Sequence, residues 1–229
     1  MKKYRNLIFV CLVAVSIVLL SPTGITVIQN AMVANEQAKQ VIIIDPGHGG
    51  SDPGKVGINN ALEKDINLSI SFKLKNYLEQ NGYEVILTRT DDNGLYSLGD
   101  NNKKRADMKK RVELINETNP VMTLSIHQNS FTQASSKGAQ VFYHIKSPEG
   151  KRLAEVIQEQ LKQILNNGNK RVAKSNDTYY MLKNTSCPTV IVECGFLSNQ
   201  EEAELLLDDS YQDKVAYAIT EGVKAYMAQ

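Results

Sequence analysis

From residue 41 onward the chain alternates short runs of apolar residues with longer segments in which apolar residues recur every three or four positions. The first pattern is typical of strands buried on both faces, and the second is typical of amphipathic helices. The predicted strands are 41–45, 83–88, 121–126, 139–145, 179–182 and 189–193. The predicted helices are 62–81, 104–116, 148–165, 201–207 and 211–227.

Strands that alternate with helices favour right-handed crossovers and parallel pairing. We therefore expect an α/β fold: a single three-layer domain with a mostly parallel, twisted sheet and helices on both faces. This domain is expected to span residues 41–229, and the polar, glycine-containing stretch 91–102 is expected to be a surface loop.

Residues 1–40 are predicted to be an export signal or membrane anchor followed by a linker. Three basic residues near the start precede the apolar run 7–20, which is the order of an export signal. The run is shorter than the roughly 20 residues of a membrane span, although residues 25–28 extend it beyond a Ser-Pro-Thr-Gly interruption. The sequence leaves cleavage open, and we expect an extracytoplasmic protein that contacts the membrane only if the segment stays attached.

The balance of charge excludes one class of partner. The chain has 26 Lys and Arg against 25 Asp and Glu, and four of the basic residues lie before residue 41. The predicted domain therefore holds 22 basic and 24 acidic residues. It offers no basic surface for tracking phosphates, so nucleic acid is not an expected partner.

Four potential metal ligands or acid–base groups fall at one edge of the predicted sheet. His48 follows the first strand, His127 follows the third, and Glu193 ends the last one. Glu63 begins the helix after the first strand, and the crossover places the N-terminus of that helix at the same edge. Ligands of open α/β sheets bind outside the carboxyl ends of the strands, so we expect these four residues to converge.

Two histidines and a carboxylate are the ligands of an open catalytic zinc site. His48, Glu63 and His127 fit that role, which leaves Glu193 to transfer protons. Each residue alone also has a structural interpretation, such as a turn, a strand end or a helix N-terminus, and only their convergence favours a site. His144 has no ligand-type neighbour and is interpreted as structural or exposed.

The cysteines allow an alternative hypothesis to the metal site. Cys187 and Cys194 flank the last predicted strand, about 20 Å apart at roughly 3.3 Å per residue. A disulfide needs Cα atoms within about 7 Å, so two free thiols are predicted. A thiol hydrolase that uses Cys194 therefore stays open as a competing hypothesis.

Four segments in this order resemble the zinc-dependent N-acetylmuramoyl-L-alanine amidases, over about residues 41–227: DPGHGG at 45–50, LEKD at 62–65, SIHQN at 125–129 and ECGFLSN at 193–199. The resemblance implies one Zn²⁺ per chain, with His48, Glu63 and His127 as ligands and Glu193 as the catalytic glutamate. It also implies hydrolysis of the amide between the lactyl group of N-acetylmuramic acid and L-alanine. The chain departs from the family pattern at Gln128, where a small residue is usual.

The segments MKKRVE at 108–113 and NDTYYMLKN at 176–184 narrow the resemblance to the germination-specific amidases of the spore cortex. This resemblance implies action in the forespore intermembrane space on glycan strands with stem peptides, as the first step towards muramic-δ-lactam. A deacetylase of the same pathway, or a protein activator, is the protein partner it implies.

Several alternatives stay open at this point. They are a zinc peptidase that cuts the stem peptide, a general vegetative cell-wall amidase, and a non-catalytic glycan-binding relative. Tyr179, Tyr180 and the loop 90–103 are predicted to form walls of the substrate groove.

Overall fold

The structure, a computed structural model, describes residues 40–229. The strands are β1 (Val41–Pro46), β2 (Glu84–Leu87), β3 (Met122–Asn129), β4 (Gln140–His144), β5 (Lys174–Asn176) and β6 (Thr189–Phe196). The helices are α1 (Glu63–Gln80), α2 (Lys103–Thr118), α3 (Pro148–Leu165), α4 (Tyr180–Asn184), α5 (Gln200–Leu205) and α6 (Asp209–Met227). The apolar export segment predicted at 7–20 lies outside the described residues.

The strands form one sheet in the order β2-β1-β3-β6-β4-β5. Every neighbouring pair is parallel except β4 and β6, which are antiparallel. The predicted α/β fold with a mostly parallel sheet is thus confirmed. No helix among residues 40–229 is both long and apolar enough to cross a membrane.

Helices cover both faces of the sheet, as β1 illustrates. Its side chains alternate between faces, and Ile42, Ile43 and Ile44 are all fully buried. Ile42 and Ile44 join the large core under α1, α3 and α6, whereas Ile43 packs with residues of α2 and α4 in a smaller core. The three-layer arrangement explains why the first strand is apolar throughout.

The predicted strand at 179–182 is wrong. The segment forms the short helix α4, which begins after a turn in which the Asn176 side chain accepts the backbone N–H groups of Thr178 and Tyr179. The edge strand β5, just before this turn, was not predicted. A short apolar run has too little periodicity to distinguish a strand from a helix. In this segment the turn formed by Asn176 leads directly into a helix.

Two strands extend further than predicted. β3 continues to Asn129 and β6 to Phe196, so His127 and Glu193 lie within strands rather than after or at the end of them, and they pair with each other. The register shifts between His127 and Asn129. The extension does not separate the two residues, because both strands lengthen together at the same edge.

Candidate metal centre

The loop after β1 presents His48 with an unusual backbone. His48 has φ = 63°, and among residues 40–229 it is the only residue other than glycine or asparagine with a positive φ. This left-handed conformation costs an ordinary L-residue about 1–2 kcal/mol. The loop is tied to the sheet by the Gly47 N–H, which donates to the carbonyl of Ile126 at 3.0 Å.

Glu63 is the first residue of α1, and this position places its side chain at the site. Its carboxylate is only 2% exposed and accepts backbone N–H groups from Lys55 (2.7 Å) and Gln128 (3.1 Å). Burial opposes ionisation, but hydrogen bonds with His127 and His48 hold the pKa of Glu63 far below its usual value. The carboxylate is therefore fixed in position and negatively charged.

The two histidines each contact a different oxygen of the Glu63 carboxylate. His48 Nε2 lies 3.1 Å from Glu63 Oε2, and His127 Nδ1 lies 2.8 Å from Glu63 Oε1. One ligand atom from each of the three residues lies within 4.8 Å of the others, and within the described part of the chain no other group of three does so. Burial opposes protonation of His127, but Glu63 raises the pKa of His127 to about 9. The predicted cluster therefore forms.

Asp52 belongs to the same site, although the sequence did not predict it. Its Oδ2 lies 2.9 Å from His48 Nδ1 and 3.1 Å from Lys104 Nζ, and its Oδ1 accepts the Gly54 N–H. A carboxylate accepts only, so Nδ1 of His48 donates to Asp52. Only the position of Asp52, four residues after His48, hinted at this contact.

Gln128 contacts the residues behind the cluster. Its side chain is 2% exposed, and its Nε2 donates to Asn67 Oδ1 at 3.1 Å. Asn67 in turn donates to the carbonyl of Gly47 at 3.1 Å. The residue at which the chain departs from the family pattern thus joins β3 to α1, and Asn67 continues the contact to the β1 loop next to Glu63.

Glu193 stands apart from the hydrogen-bonded cluster. It is 9% exposed, and its Oε2 is buried without a hydrogen-bond partner among the described residues. Burial raises the pKa of Glu193 to about 7, and repulsion from Glu63 adds to this against the attraction of His127. A carboxyl group that titrates near neutral pH is suited to both accepting and donating a proton.

The cysteines do not share this environment. Cys187 and Cys194, the cysteines of the described part, are both free, as predicted. Cys194 is fully buried, and burial raises the pKa of its thiol, which weakens it as a nucleophile. His144 lines a separate cavity with Cys187, which agrees with its structural interpretation.

The four predicted residues open into one cavity of about 480 Å³. Tyr179 and Tyr180 line it, as predicted, and Lys55 and Lys104 line it as well. None of the residues of the loop 90–103 lines this cavity, but Tyr96 lines a neighbouring one that shares Asp52 and Lys104 with it, so the prediction for this loop stays a prediction. The loop lies beside the cavity of the four residues, where Tyr96 accepts the Ser51 N–H at 2.9 Å.

The donor set suits a divalent cation of intermediate softness. Two imidazole nitrogens and one carboxylate oxygen match the protein ligands of open zinc sites. Glycines keep the space around these ligands clear: a Cβ on Gly47 would overlap the His127 ring, and one on Gly54 would lie 2.5 Å from Glu63 Oε2. The residues present therefore fit zinc.

The sequence profile of one family, N-acetylmuramoyl-L-alanine amidase, matches residues 42–225. The germination-specific N-acetylmuramoyl-L-alanine amidase of Bacillus subtilis is 39% identical over 193 residues, which cover 83% of this chain and 81% of that protein. The narrower resemblance to germination-specific amidases is thereby confirmed.

Solved structures agree with this assignment. The CwlD amidase of Clostridioides difficile, in complex with the GerS lipoprotein, superposes with a TM-score of 0.81 at 43% identity and covers 83% of this chain and 99% of that one. The catalytic domain of CwlV, an N-acetylmuramoyl-L-alanine amidase from Bacillus (Paenibacillus) polymyxa, gives 0.72 at 30% identity over 82% and 98% of the two chains. The chain described here therefore belongs to the N-acetylmuramoyl-L-alanine amidase family and is an enzyme with that activity on peptidoglycan.

Proposed function

We propose that the protein is a zinc-dependent amidase of the spore cortex, in which His48, Glu63 and His127 hold one Zn²⁺ and Glu193 transfers protons. The observation that carries the proposal is the convergence of three ligand atoms within 4.8 Å in the same cavity as a buried carboxylate without a partner. The bond cleaved joins the lactyl carbonyl of N-acetylmuramic acid to the nitrogen of L-alanine.

The chemistry divides between the metal and Glu193. Zinc, when bound, supplies a Lewis acid that polarises the scissile carbonyl and acidifies water. Glu193 accepts the proton of the attacking water and delivers it to the departing alanine nitrogen. An amide nitrogen is a poor leaving group until it is protonated, so a carboxyl with a pKa of about 7 serves both steps at neutral pH.

Asp52 prepares His48 for this role. By accepting the hydrogen bond from Nδ1 at 2.9 Å, it fixes the ring and leaves Nε2 as the nitrogen that would bind the metal. Such carboxylate partners of ligating histidines typically contribute about 10–100-fold to metal affinity or activity. Lys104, which contacts the same oxygen of Asp52 as His48 does, neutralises the carboxylate at the rim of the cavity.

The biological role is inferred from the relatives. One is germination-specific, which supports a cortex substrate, an extracytoplasmic site of action and the forespore intermembrane space as its location. A second was solved with a lipoprotein, which supports a protein partner for this chain as well. A deacetylase then completes muramic-δ-lactam after the stem peptide has been removed.

Removal of zinc is expected to abolish hydrolysis. Purified full-length protein, zinc-loaded or stripped with chelator, is incubated with purified peptidoglycan, and the products are identified by mass spectrometry. We expect stem peptides with a free L-alanine amine from the zinc-loaded protein only, and recovery when zinc is restored. A new amine on a D-residue or a diamino acid would identify a stem-peptide peptidase, and activity that survives chelation would refute zinc dependence.

Cortex and vegetative roles are separated by comparing turnover on purified spore cortex with turnover on purified vegetative peptidoglycan. We expect faster turnover on cortex, and an equal or higher rate on the vegetative material would favour a vegetative amidase. Adding a muramic acid deacetylase to the treated cortex strands is expected to yield muramic-δ-lactam, because the lactyl carboxyl has been freed.

A methyl group at Gly47 is expected to disturb zinc binding without unfolding the protein. Gly47 has no positive φ, so alanine suits its backbone, but the added Cβ would overlap the His127 ring. For Gly47→Ala we expect zinc affinity and activity to fall at least about tenfold, the lower bound for losing support of a ligand. Competition with a chromogenic chelator measures the affinity.

The control for this variant is Gly99→Ala. A Cβ at Gly99 meets no atom within 4 Å, and Gly99 has no positive φ either. The control should bind zinc like the wild type, and equal affinity in all three proteins would contradict the assigned position of His127.

A further inference from the structure

Two buried arginines lie directly beneath the loop that carries His48. Arg89 is 4% exposed and Arg111 is 1% exposed. Arg89 follows β2, and Arg111 projects from α2, so the two reach the loop from different elements. Guanidinium groups this deeply buried are uncommon and need a full set of acceptors.

Arg111 binds both the loop and its anchor in the sheet. Its Nη2 donates to the carbonyl of His48 at 2.6 Å, and its Nη1 donates to the carbonyl of Pro46 and to Asp45 Oδ1, both at 2.8 Å. Its Nε donates to Asp107 Oδ2 at 2.6 Å. One planar side chain therefore joins the end of β1 to the metal-ligand candidate two residues later.

Arg89 donates the remaining hydrogen bonds to the carbonyls of the loop. Its Nε donates to Pro46 O at 3.0 Å, and its Nη2 donates to Gly47 O at 3.1 Å and to Lys64 O at 2.7 Å. The carbonyls of three consecutive residues, Pro46, Gly47 and His48, thus each accept from a buried guanidinium. The last contact also reaches the first turn of α1, beside Glu63.

The charges in this cluster balance. Arg111 pairs with Asp45 and Asp107, which supply two negative charges to the two guanidiniums. Burial alone would raise the pKa of Asp45, but Arg111 and hydrogen bonds from Thr88 and Ser125 hold it below the usual value. A neutral cluster in which every group is hydrogen-bonded is stiff, whereas loss of one partner leaves a buried charge unpaired, which is strongly unfavourable.

We propose that Arg111 is a positioning residue for the metal site: its fork holds the His48 backbone in the left-handed conformation that aims the imidazole at Glu63. This inference rests on the zinc site proposed above. The left-handed backbone at His48 is unfavourable by itself, and the carbonyl of His48 lies beyond the end of β1, so no strand partner supports it. The Nη2 contact of Arg111 supplies that support.

The geometry needs arginine rather than a positive charge alone. One guanidinium reaches Asp107, Asp45 and His48 with separate, coplanar N–H groups, whereas a lysine ammonium is a single point that cannot span them. Arg111→Lys keeps the charge of the cluster and removes the fork. It therefore tests position rather than electrostatics.

The test is zinc affinity, measured by chelator competition on full-length Arg111→Lys and wild-type protein, with unfolding midpoints recorded for both. The matched control is Leu161→Ala, which empties part of the core under α3 and does not touch the loop. We expect Arg111→Lys to bind zinc at least about tenfold more weakly, and Leu161→Ala, although destabilised, to bind within about twofold of wild type.

Each outcome decides a separate point. Folded Arg111→Lys with wild-type zinc affinity overturns the inference, and so does an equal loss in Leu161→Ala, which would mean that general destabilisation is responsible. If Arg111→Lys does not fold, zinc affinity is measured on Asp107→Asn instead. This variant weakens the hydrogen bond from Arg111 Nε at a residue that is 9% exposed, at the edge of the cluster. Unchanged zinc affinity in Asp107→Asn overturns the inference equally. Wild-type protein that fails to bind zinc would instead refute the zinc site itself.

Discussion

Replacing Glu193 with glutamine is expected to lower kcat by about 10²–10⁴-fold, the usual contribution of a general acid–base group. Glutamine keeps the shape of the side chain but neither accepts the proton of water nor returns it to the leaving nitrogen. Glu193 makes no hydrogen bond to His48, Glu63 or His127, so zinc affinity should stay within about threefold, a margin well below the 10–100-fold loss that follows when a ligand loses its support. Turnover on purified peptidoglycan and chelator competition measure the two quantities.

The neighbouring substitution Cys194→Ser serves as the control for Glu193→Gln. Cys194 is fully buried and its side chain joins the large core, so the serine variant should retain zinc-dependent turnover. Activity lost in Cys194→Ser and kept in Glu193→Gln would reverse the assignment and favour a thiol hydrolase.

The same glutamine variant should change how stability depends on pH. A carboxyl whose pKa rises from 4.5 to about 7 on folding is protonated in both states at low pH, where it has no effect. As pH rises from 4.5 to 7 the unfolded state ionises first, so this group lowers the stability of the zinc-free wild-type protein by up to about 3 kcal/mol and adds no further change above that range. Urea unfolding of zinc-free Glu193→Gln should lack this loss, and parallel pH profiles for the two proteins would contradict the raised pKa.

The fold could be predicted from sequence because the main elements have strong periodicity. In α1 the apolar residues Ile66, Ile70, Leu74 and Leu78 recur every four positions, and all four are buried. The apolar run of β1 lies between two neighbouring strands and two layers of helices. In such segments local pattern and tertiary burial agree, so boundaries were predicted to within one or two residues.

Prediction failed where side-chain hydrogen bonds rather than burial decide the structure. The turn made by Asn176 converts the predicted strand at 179–182 into α4. Asp52 was missed for the same reason, since its partner is set by the fold of the β1 loop and not by a periodic spacing. These contacts depend on backbone geometry that a single sequence does not reveal.

The candidate site also departs from the rules that make the rest of the chain predictable. His48 has a left-handed backbone, and Glu193 has a buried oxygen without a partner among the described residues. Such violations are expected at functional sites, where geometry for chemistry opposes local stability. Sequence could indicate which residues converge, but not that the surrounding structure holds two of them in unfavourable states.

Replacing His48 with alanine is expected to abolish both zinc binding and activity, in contrast to Glu193→Gln. His48 supplies one of three candidate ligand atoms, so the loss should exceed the roughly 10–100-fold that follows from removing a hydrogen-bond partner of a ligand. Equilibrium dialysis with zinc analysis measures binding, and peptidoglycan turnover measures activity.

The matched control is His144→Ala, which removes the same side chain at the end of β4, in a separate cavity. It should retain one zinc per chain and full turnover. The alanine at position 48 also removes the partner of Asp52, so Asp52→Asn is measured alongside it: because this variant keeps the imidazole, its zinc affinity should fall between those of wild type and His48→Ala. Zinc retained by His48→Ala, or lost equally by His144→Ala, would mean that the metal binds elsewhere, whereas the expected order of the three variants would identify His48 as a ligand and Asp52 as its support.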